Sequence, residues 1–154
     1  MRTKFNAVVR LCFLAATFLF LAASVSQSLA GDLKLQAQLI WATNDPTSPN
    51  PKHKPVEPAV EAKLKSLPFR WTNYYEVNRK EFTVFQDGST KVPMSDHCEI
   101  IVKNLGHSIV EVSLVGKGEH IGKMTRALPK GELLVTGGNA ANTTGWFIVL
   151  KQVE

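Results

Sequence analysis

Five side chains in residues 31–154 could serve as a nucleophile, a general base or a soft metal ligand: Cys98, His53, His97, His107 and His120. Cys98 and His97 are adjacent on a predicted strand, where neighbouring side chains point to opposite faces, so these two cannot form a thiolate–imidazole pair. Partners in nucleophilic catalysis need to be close only in space, so His107 or His120 stays open as a partner of Cys98. No local signature of a catalytic cysteine surrounds Cys98, and the sequence predicts no catalytic residue.

The same residues do not have the spacing of a metal centre. A blue-copper site combines two histidines, a cysteine and a weakly bound methionine, and His120 with Met124 invites that comparison. Cys98, however, precedes His120 by 22 residues, with a predicted hairpin between them, whereas the copper ligands crowd into one loop. The chain has no CxxC or HxxxH pair of the kind that binds zinc. We therefore expect neither a metal ion nor another cofactor.

Cys98 also begins an alternating apolar pattern. Cys98, Ile100 and Val102 fall on one face of the predicted strand, which is typical of side chains that face a core. Because a free cysteine behaves as a small hydrophobic residue, the pattern predicts that Cys98 is buried. A single cysteine in an exported chain leaves two alternatives open, a disulfide with another chain or a reactive thiol.

The segment 137–145 is a candidate binding loop, rich in glycine, asparagine and threonine. Binding residues are often on loops that a rigid scaffold holds in place. We predict that Asn139, Asn142 and Thr143 contact a polar ligand or a protein partner. The alternative is a plain hairpin connection. Asn142-Thr143-Thr144 is also an N-glycosylation sequon, which matters only in a eukaryotic host.

Arg70 and Tyr74 form a second, independent candidate for binding. They lie on the strand face opposite the apolar one, which predicts an exposed arginine–tyrosine pair of a kind that is enriched at interfaces. The other large aromatic side chains fall mostly on apolar faces and are predicted to be core. These are Trp41, Trp71, Tyr75, Phe82, Phe85 and Trp146.

Strand patterns dominate the rest of the chain. Residues 33–41 alternate apolar and polar side chains, which predicts a strand with one buried and one solvent-exposed face. Short segments of this type recur with glycine or proline turns between them, which is typical of a sandwich or barrel. We predict an all-β, antiparallel sandwich or barrel-like domain of about 7–8 strands with one short helix. The further strand segments are 69–77, 81–86, 89–94, 98–103, 109–115, 120–126, 132–136 and 146–151.

Three segments differ from this strand pattern. Residues 44–58 are rich in proline, which cannot donate to a sheet, so we predict an arm or long loop there. Residues 58–67 are the helical candidate, because they begin with proline and then carry apolar residues at helical spacing. Asp87-Gly88 predicts a β-hairpin that joins segments 81–86 and 89–94.

Residues 1–30 have the order of a secretory signal peptide. Basic residues precede an apolar run of thirteen residues, 11–23, and Ser28-Leu29-Ala30 places small residues at positions −3 and −1 of a cut. The apolar run is shorter than the roughly 20 residues that a bilayer span needs. We predict export, either secreted or periplasmic, and a single domain of residues 31–154 with no membrane span after cleavage.

The charge of the exported part is close to neutral. The full chain has 18 basic and 13 acidic side chains, and subtracting the three basic ones of residues 1–30 leaves 15 against 13, or +2. A charge this small gives no basic stripe for nucleic acid. The sequence therefore predicts an exported, non-catalytic binding or structural module whose partner is an unknown protein or polar ligand. The alternatives are a small extracytoplasmic hydrolase, and an inhibitor or assembly factor that presents a loop or the proline-rich arm.

Overall fold

The computed structural model describes residues 31–140 and 142–153, and the predicted signal peptide lies outside these residues. The described chain forms two β-sheets and one short helix. The elements are β1 (Leu33–Thr43), β2 (Lys54–Pro55), α1 (Pro58–Lys65), β3 (Asn73–Val84), β4 (Ser89–Ser95), β5 (Cys98–Asn104), β6 (Ile109–Gly116), β7 (Glu119–Ala127), β8 (Leu134–Asn139) and β9 (Gly145–Gln152).

Both sheets are antiparallel. The five-stranded sheet has the order β2-β3-β1-β9-β8, and the four-stranded sheet has the order β4-β5-β6-β7. The predicted all-β, antiparallel sandwich or barrel-like fold with one short helix is confirmed as two sheets, and the described residues form nine strands where about 7–8 were predicted.

The inner faces of the two sheets enclose the larger hydrophobic core. β1 contributes Leu33, Leu35, Ala37 and Leu39, which are the apolar half of its alternating sequence. Burying a leucine or valine side chain contributes about 1.5–3 kcal/mol, so this face fixes the register of the central strand. The four-stranded sheet contributes Val92, Met94, Ile100, Val102, Val110, Val112 and Leu114.

Helix α1 covers the outer face of the five-stranded sheet. It begins at Pro58, as predicted, because a proline at this position loses no helical hydrogen bond. It ends at Lys65, two residues before the predicted end. Val60 and Leu64 lie one turn apart and are buried in a second hydrophobic cluster with Phe147. A helix of eight residues is not stable alone, so this apolar contact holds it on the sheet.

The prediction of a solvent-exposed face on β1 is correct at Lys34 but wrong at Gln36 and Gln38, because β1 lies in the middle of its sheet and both faces are covered there. Gln36 and Gln38 are 5% and 1% exposed. Gln36 donates a hydrogen bond to Glu81 at 2.8 Å, and Gln38 donates to Gln36 at 3.2 Å. The alternating pattern is real, but only Lys34 of its polar half is exposed, and Gln36 and Gln38 are buried amides.

Charged side chains of the neighbouring strands lie beside these glutamines. Arg79, directly opposite Gln38 on β3, forms ion pairs with Glu76 and Glu57. Lys151 on β9 donates to Glu57 at 3.1 Å. We call Glu57, Glu76, Arg79 and Lys151 the ion-pair cover. The hydrogen bonds from Lys151 and then Arg79 hold the pKa of Glu57 below its ordinary value.

The predicted hairpin at Asp87-Gly88 is also wrong in its pairing. β3 and β4 belong to different sheets, so the turn between them carries the chain across the sandwich. Gly88 donates its N–H to the Phe85 carbonyl at 2.9 Å, and Asp87 has a positive φ of 55°. The turn is present, with a positive φ at Asp87 but not at Gly88, which ends it. A turn alone does not decide whether the strands it joins pair with each other.

Candidate functional site

Tyr74 is buried, so the predicted exposed pair of Arg70 and Tyr74 is wrong. Tyr74 lies opposite Ala42 on β1, on the face that α1 covers, and is 6% exposed. Its hydroxyl donates to the carbonyl of Trp71 at 3.0 Å. Arg70 is exposed in the segment before β3. The alternating pattern assigned Tyr74 to the correct face of β3. Helix α1 covers this face, so Tyr74 is buried in the second hydrophobic cluster.

The predicted binding loop is fastened to the rest of the domain by Trp71. The Trp71 indole N–H donates to the carbonyl of Thr143 at 2.8 Å. Gly145 lets the indole ring lie against β9, since a Cβ at this position would overlap the ring. Within the loop, the Thr144 hydroxyl donates to Asn142 at 2.6 Å. These contacts give part of the loop a structural role.

The three predicted loop residues Asn139, Asn142 and Thr143 are all exposed. Asn139 ends β8 and lies opposite Gly145, and Thr143 has a positive φ of 65°. Their contact with a polar ligand or a protein partner stays a prediction, and so does a contact through Arg70.

An apolar cleft opens between the two sheets at the same end of the sandwich as this loop. Its volume is about 510 Å³. Leu39 and Trp146 of the five-stranded sheet form one wall, and Cys98 and Ile121 of the four-stranded sheet form the other. The remaining lining residues are Ser95, His97, Gly116, Lys117, Glu119 and Ala140.

Small residues and a β-bulge give the cleft its shape. The register of β6 and β7 shifts so that Leu114 faces Gly122 while Val115 faces His120, which makes Ile121 the extra residue of a bulge. Gly116 makes room for Ile121, because a Cβ on Gly116 would overlap the isoleucine side chain. Ile121 is 55% exposed. A large apolar side chain is thus held at the mouth of the cleft.

Cys98 lies on the core face of β5, but it is half-buried because it lines the cleft. The prediction of a buried residue is therefore correct for the face and wrong for the degree of burial. Desolvation raises the pKa of the Cys98 thiol above its ordinary value. The thiol accordingly stays protonated at neutral pH, which makes it a weak nucleophile.

A row of three aromatic residues crosses the five-stranded sheet beside the cleft. Trp41 on β1 lies directly opposite Tyr75 on β3 and Trp146 on β9, so all three side chains leave the same face of the sheet. We call Tyr75, Trp41 and Trp146 the aromatic row. All three are half-buried, so their prediction as core residues holds only in part. Phe85, also predicted to be core, is 66% exposed.

The proline-rich arm, residues 44–58, is folded against two members of the aromatic row. The Tyr75 hydroxyl donates to the carbonyl of Pro46 at 2.8 Å. The ring of His53 lies 5.9 Å from the ring of Trp41, and its Nδ1 is 2.8 Å from the hydroxyl oxygen of Ser48. The arm covers one end of the row, while Trp146 at the other end lines the cleft.

Comparison of the chain with protein-family models, with curated proteins and with solved structures found no match. Among residues 31–140 and 142–153, no three histidine, cysteine or acidic side chains come close enough together to hold a metal ion. In the same part of the chain, no helix has the length and apolar character needed to cross a membrane.

The cleft could not be found from the sequence because its lining residues look like core residues. Trp146 and Cys98 each occupy the apolar positions of an alternating strand. Alternation gives the face of a strand, but not how far the opposite sheet extends over it. One feature of the sequence could have indicated the cleft. Ile121, an apolar residue between His120 and Gly122, interrupts the alternation of its strand.

Proposed function

We propose that this domain is an exported, non-catalytic binding module, and that its cleft binds a small, largely apolar molecule. The observation that carries the proposal is the cleft between Leu39, Trp146, Cys98 and Ile121. Its volume of about 510 Å³ falls within the range of roughly 300–1,000 Å³ that is usual for small-molecule sites.

The lining favours a molecule with an apolar, ring-containing body and one polar end. The indole of Trp146 offers a flat apolar face on which a ring can stack, and Ile121 closes the opposite side. The polar lining residues lie in turns and at the ends of strands, and among them Lys117 and Glu119 carry opposite charges. Such a lining can bind a hydrogen-bonding group without favouring a strongly charged ligand.

The chemistry of Cys98 supports binding over catalysis at this site. A cysteine nucleophile needs a lowered pKa, and burial raises the pKa of this thiol. His97, its neighbour in sequence, is exposed in the turn before β5. A small extracytoplasmic hydrolase is the alternative, and it would need catalytic groups other than the Cys98 thiol.

The contacts of the arm support its role as a connector. Tyr75 and Trp41 hold residues 46–53 against the sheet, and Lys54 and Pro55 pair with β3. An inhibitor or assembly factor that presents this arm would first have to release these contacts. Export stays a prediction that depends on residues 1–30.

The proposal is tested with a neutral fluorescent apolar probe, N-phenyl-1-naphthylamine, titrated into the purified exported chain. We expect saturable binding and a slower reaction of Cys98 with a thiol reagent when the probe is bound. Replacing Ile121 with Lys places a charge at the mouth of the cleft and should weaken probe binding about tenfold, which corresponds to about 1.4 kcal/mol.

The matched control is Ile109→Lys. Ile109 is also an exposed isoleucine of the four-stranded sheet, but it lies opposite Ala127, away from the cleft. This variant should bind the probe like the natural chain. Equal weakening by both substitutions, or probe binding that leaves Cys98 labelling unchanged, would contradict binding in the cleft.

A further inference from the structure

β7 is the exposed edge of the four-stranded sheet. It pairs with β6 on one side, and no strand of the described residues, 31–140 and 142–153, lies on the other. Eight of its nine residues are exposed, and Met124 is half-buried. A strand of this length with a free edge presents a row of unpaired N–H and C=O groups, to which another strand can be added.

The side chains on the inner face of β7 are arranged in a self-complementary order. Residues paired with the inward-facing residues of β6 share that face: Glu119 opposite Gly116, Met124 opposite Val112 and Arg126 opposite Val110. Ile121 joins them, because the bulge directs it into the cleft. Along the strand the inner face therefore presents an acidic, an apolar, an apolar and a basic residue.

Two copies of β7 that run antiparallel can place these residues opposite their complements. Because Ile121 and Gly122 together occupy one position of the ladder at the bulge, the two-fold axis of this register passes through Lys123. Glu119 of one copy then lies opposite Arg126 of the other, and Ile121 with Gly122 lies opposite Met124. Lys123 lies opposite its own copy on the outer face, where its charge is paired with Glu111. The two-fold symmetry repeats each contact, as in any isologous interface. Opposite charges in directly opposed positions stabilise a strand pair, and like charges destabilise it.

The charges of the two end residues are available for such a contact. Neither Glu119 nor Arg126 forms an ion pair or side-chain hydrogen bond within the described residues, and both are exposed. Lys123, by contrast, points to the outer face and pairs with Glu111 of β6 at 3.0 Å. The inner face of β7 thus holds one acidic and one basic side chain with no partner in the described chain. Their spacing lets each one lie opposite the other in a second copy.

We propose that the chain forms a two-fold dimer in which β7 pairs antiparallel with β7 of a second copy, making one continuous eight-stranded sheet. The partner is this same chain, recognised by two Glu119–Arg126 ion pairs and two Ile121–Met124 contacts. The proposal goes beyond the proposed function and requires no ligand. It shares Glu119 and Ile121 with the lining of the cleft, so its test measures association in the absence of the probe.

Charge reversal combined with mixing tests this register. Sedimentation of the purified exported chain should show a monomer–dimer equilibrium in the absence of any ligand. Glu119→Arg and Arg126→Glu should each weaken the dimer about tenfold, because each converts two attractive pairs into repulsive ones. An equimolar mixture of the two variants should associate as strongly as the natural chain, because both opposed pairs are then again of opposite sign.

Lys130→Glu, an exposed charge outside β7, is the matched control and should leave the dimer unchanged. Concentration-dependent protection of β7 amides from hydrogen exchange gives a second measurement that needs no substitution. A chain that remains monomeric up to about 1 mM, or a dimer that neither reversal weakens, would overturn the proposal. A mixture of the variants that stays monomeric would also overturn it.

Discussion

Trp146 and Phe147 are adjacent on β9, yet one lines a cleft and the other is enclosed. Phe147 is 1% exposed, and its ring lies 4.4 Å from the ring of Phe69 and 5.5 Å from that of Trp71. Trp146 leaves the opposite face of the same strand and is half-buried. The two residues share a strand and an apolar character, so neither property explains the difference.

The difference lies in what covers each face of the five-stranded sheet. The outer face receives α1 and the segment around Phe69 and Trp71, which close over Phe147. The inner face receives the four-stranded sheet, but the turns at residues 96–97 and 117–118 form the rim of an open cleft beside Trp146. The cleft in this molecule is therefore a place where the opposing sheet does not extend over the whole inner face.

The largest expected effect is on the free energy of unfolding, and it distinguishes substitutions at these two residues. Phe147→Ala leaves a cavity in an enclosed cluster and should lower the free energy of unfolding by about 3–5 kcal/mol. Trp146→Ala removes a half-buried ring that borders open space and should cost less, about 2–3 kcal/mol, while it weakens probe binding in the cleft. Urea denaturation measures both. Equal losses of stability would show that the cleft is closed in solution.

Two glycines provide the next comparison. Gly145→Ala places a Cβ against the ring of Trp71 and should cost about 1–3 kcal/mol, because the enclosed side has no room. Gly138→Ala has no atom within 4 Å of the new Cβ and should stay within about 0.5 kcal/mol. Thermal unfolding of both variants is the measurement. A cost at Gly138 as large as that at Gly145 would show that the space beside Gly138 is filled in solution.

The sequence predicts the layers of this fold better than their edges. Alternation in residues 33–41 identified the core face of β1, because the inner leucines follow a period of two. It failed for Gln36 and Gln38, since a central strand is covered on both faces and the pattern contains no information on neighbours. Asp87-Gly88 identified a turn, but sheet membership depends on long-range packing that the turn residues do not encode.

Prediction of the candidate site from the sequence had the same limits. The loop residues Asn139, Asn142 and Thr143 are exposed as expected, because glycine and asparagine mark surface turns reliably. Tyr74 was assigned to an exposed face, and only α1, eight residues long, makes it interior. The cleft residues were missed because a half-covered Trp146 and a covered Phe147 leave the same pattern in a sequence.

The smallest expected effect concerns the ion-pair cover. In this part of the outer face, charged side chains cover the five-stranded sheet in place of apolar ones. The pKa of Glu57 is lowered in the folded chain, first by the hydrogen bond from Lys151 and then by that from Arg79. A lowered pKa contributes stability above the ordinary pKa of 4.5 and loses it as the pH falls through the folded value. Exposed ion pairs contribute about 0.2–1 kcal/mol and are screened by salt.

Glu57→Gln should therefore cost less than about 1 kcal/mol at neutral pH and nothing once Glu57 is protonated in both states. The difference in unfolding free energy between the natural chain and the variant, measured by urea denaturation from neutral to acidic pH, should shrink below the ordinary pKa. Glu61→Gln is the control, because Glu61 pairs with Lys65 on the exposed side of α1. A Glu57 effect that persists at acidic pH would show that its contact with the sheet depends on packing, and that the outer face closes without its charges.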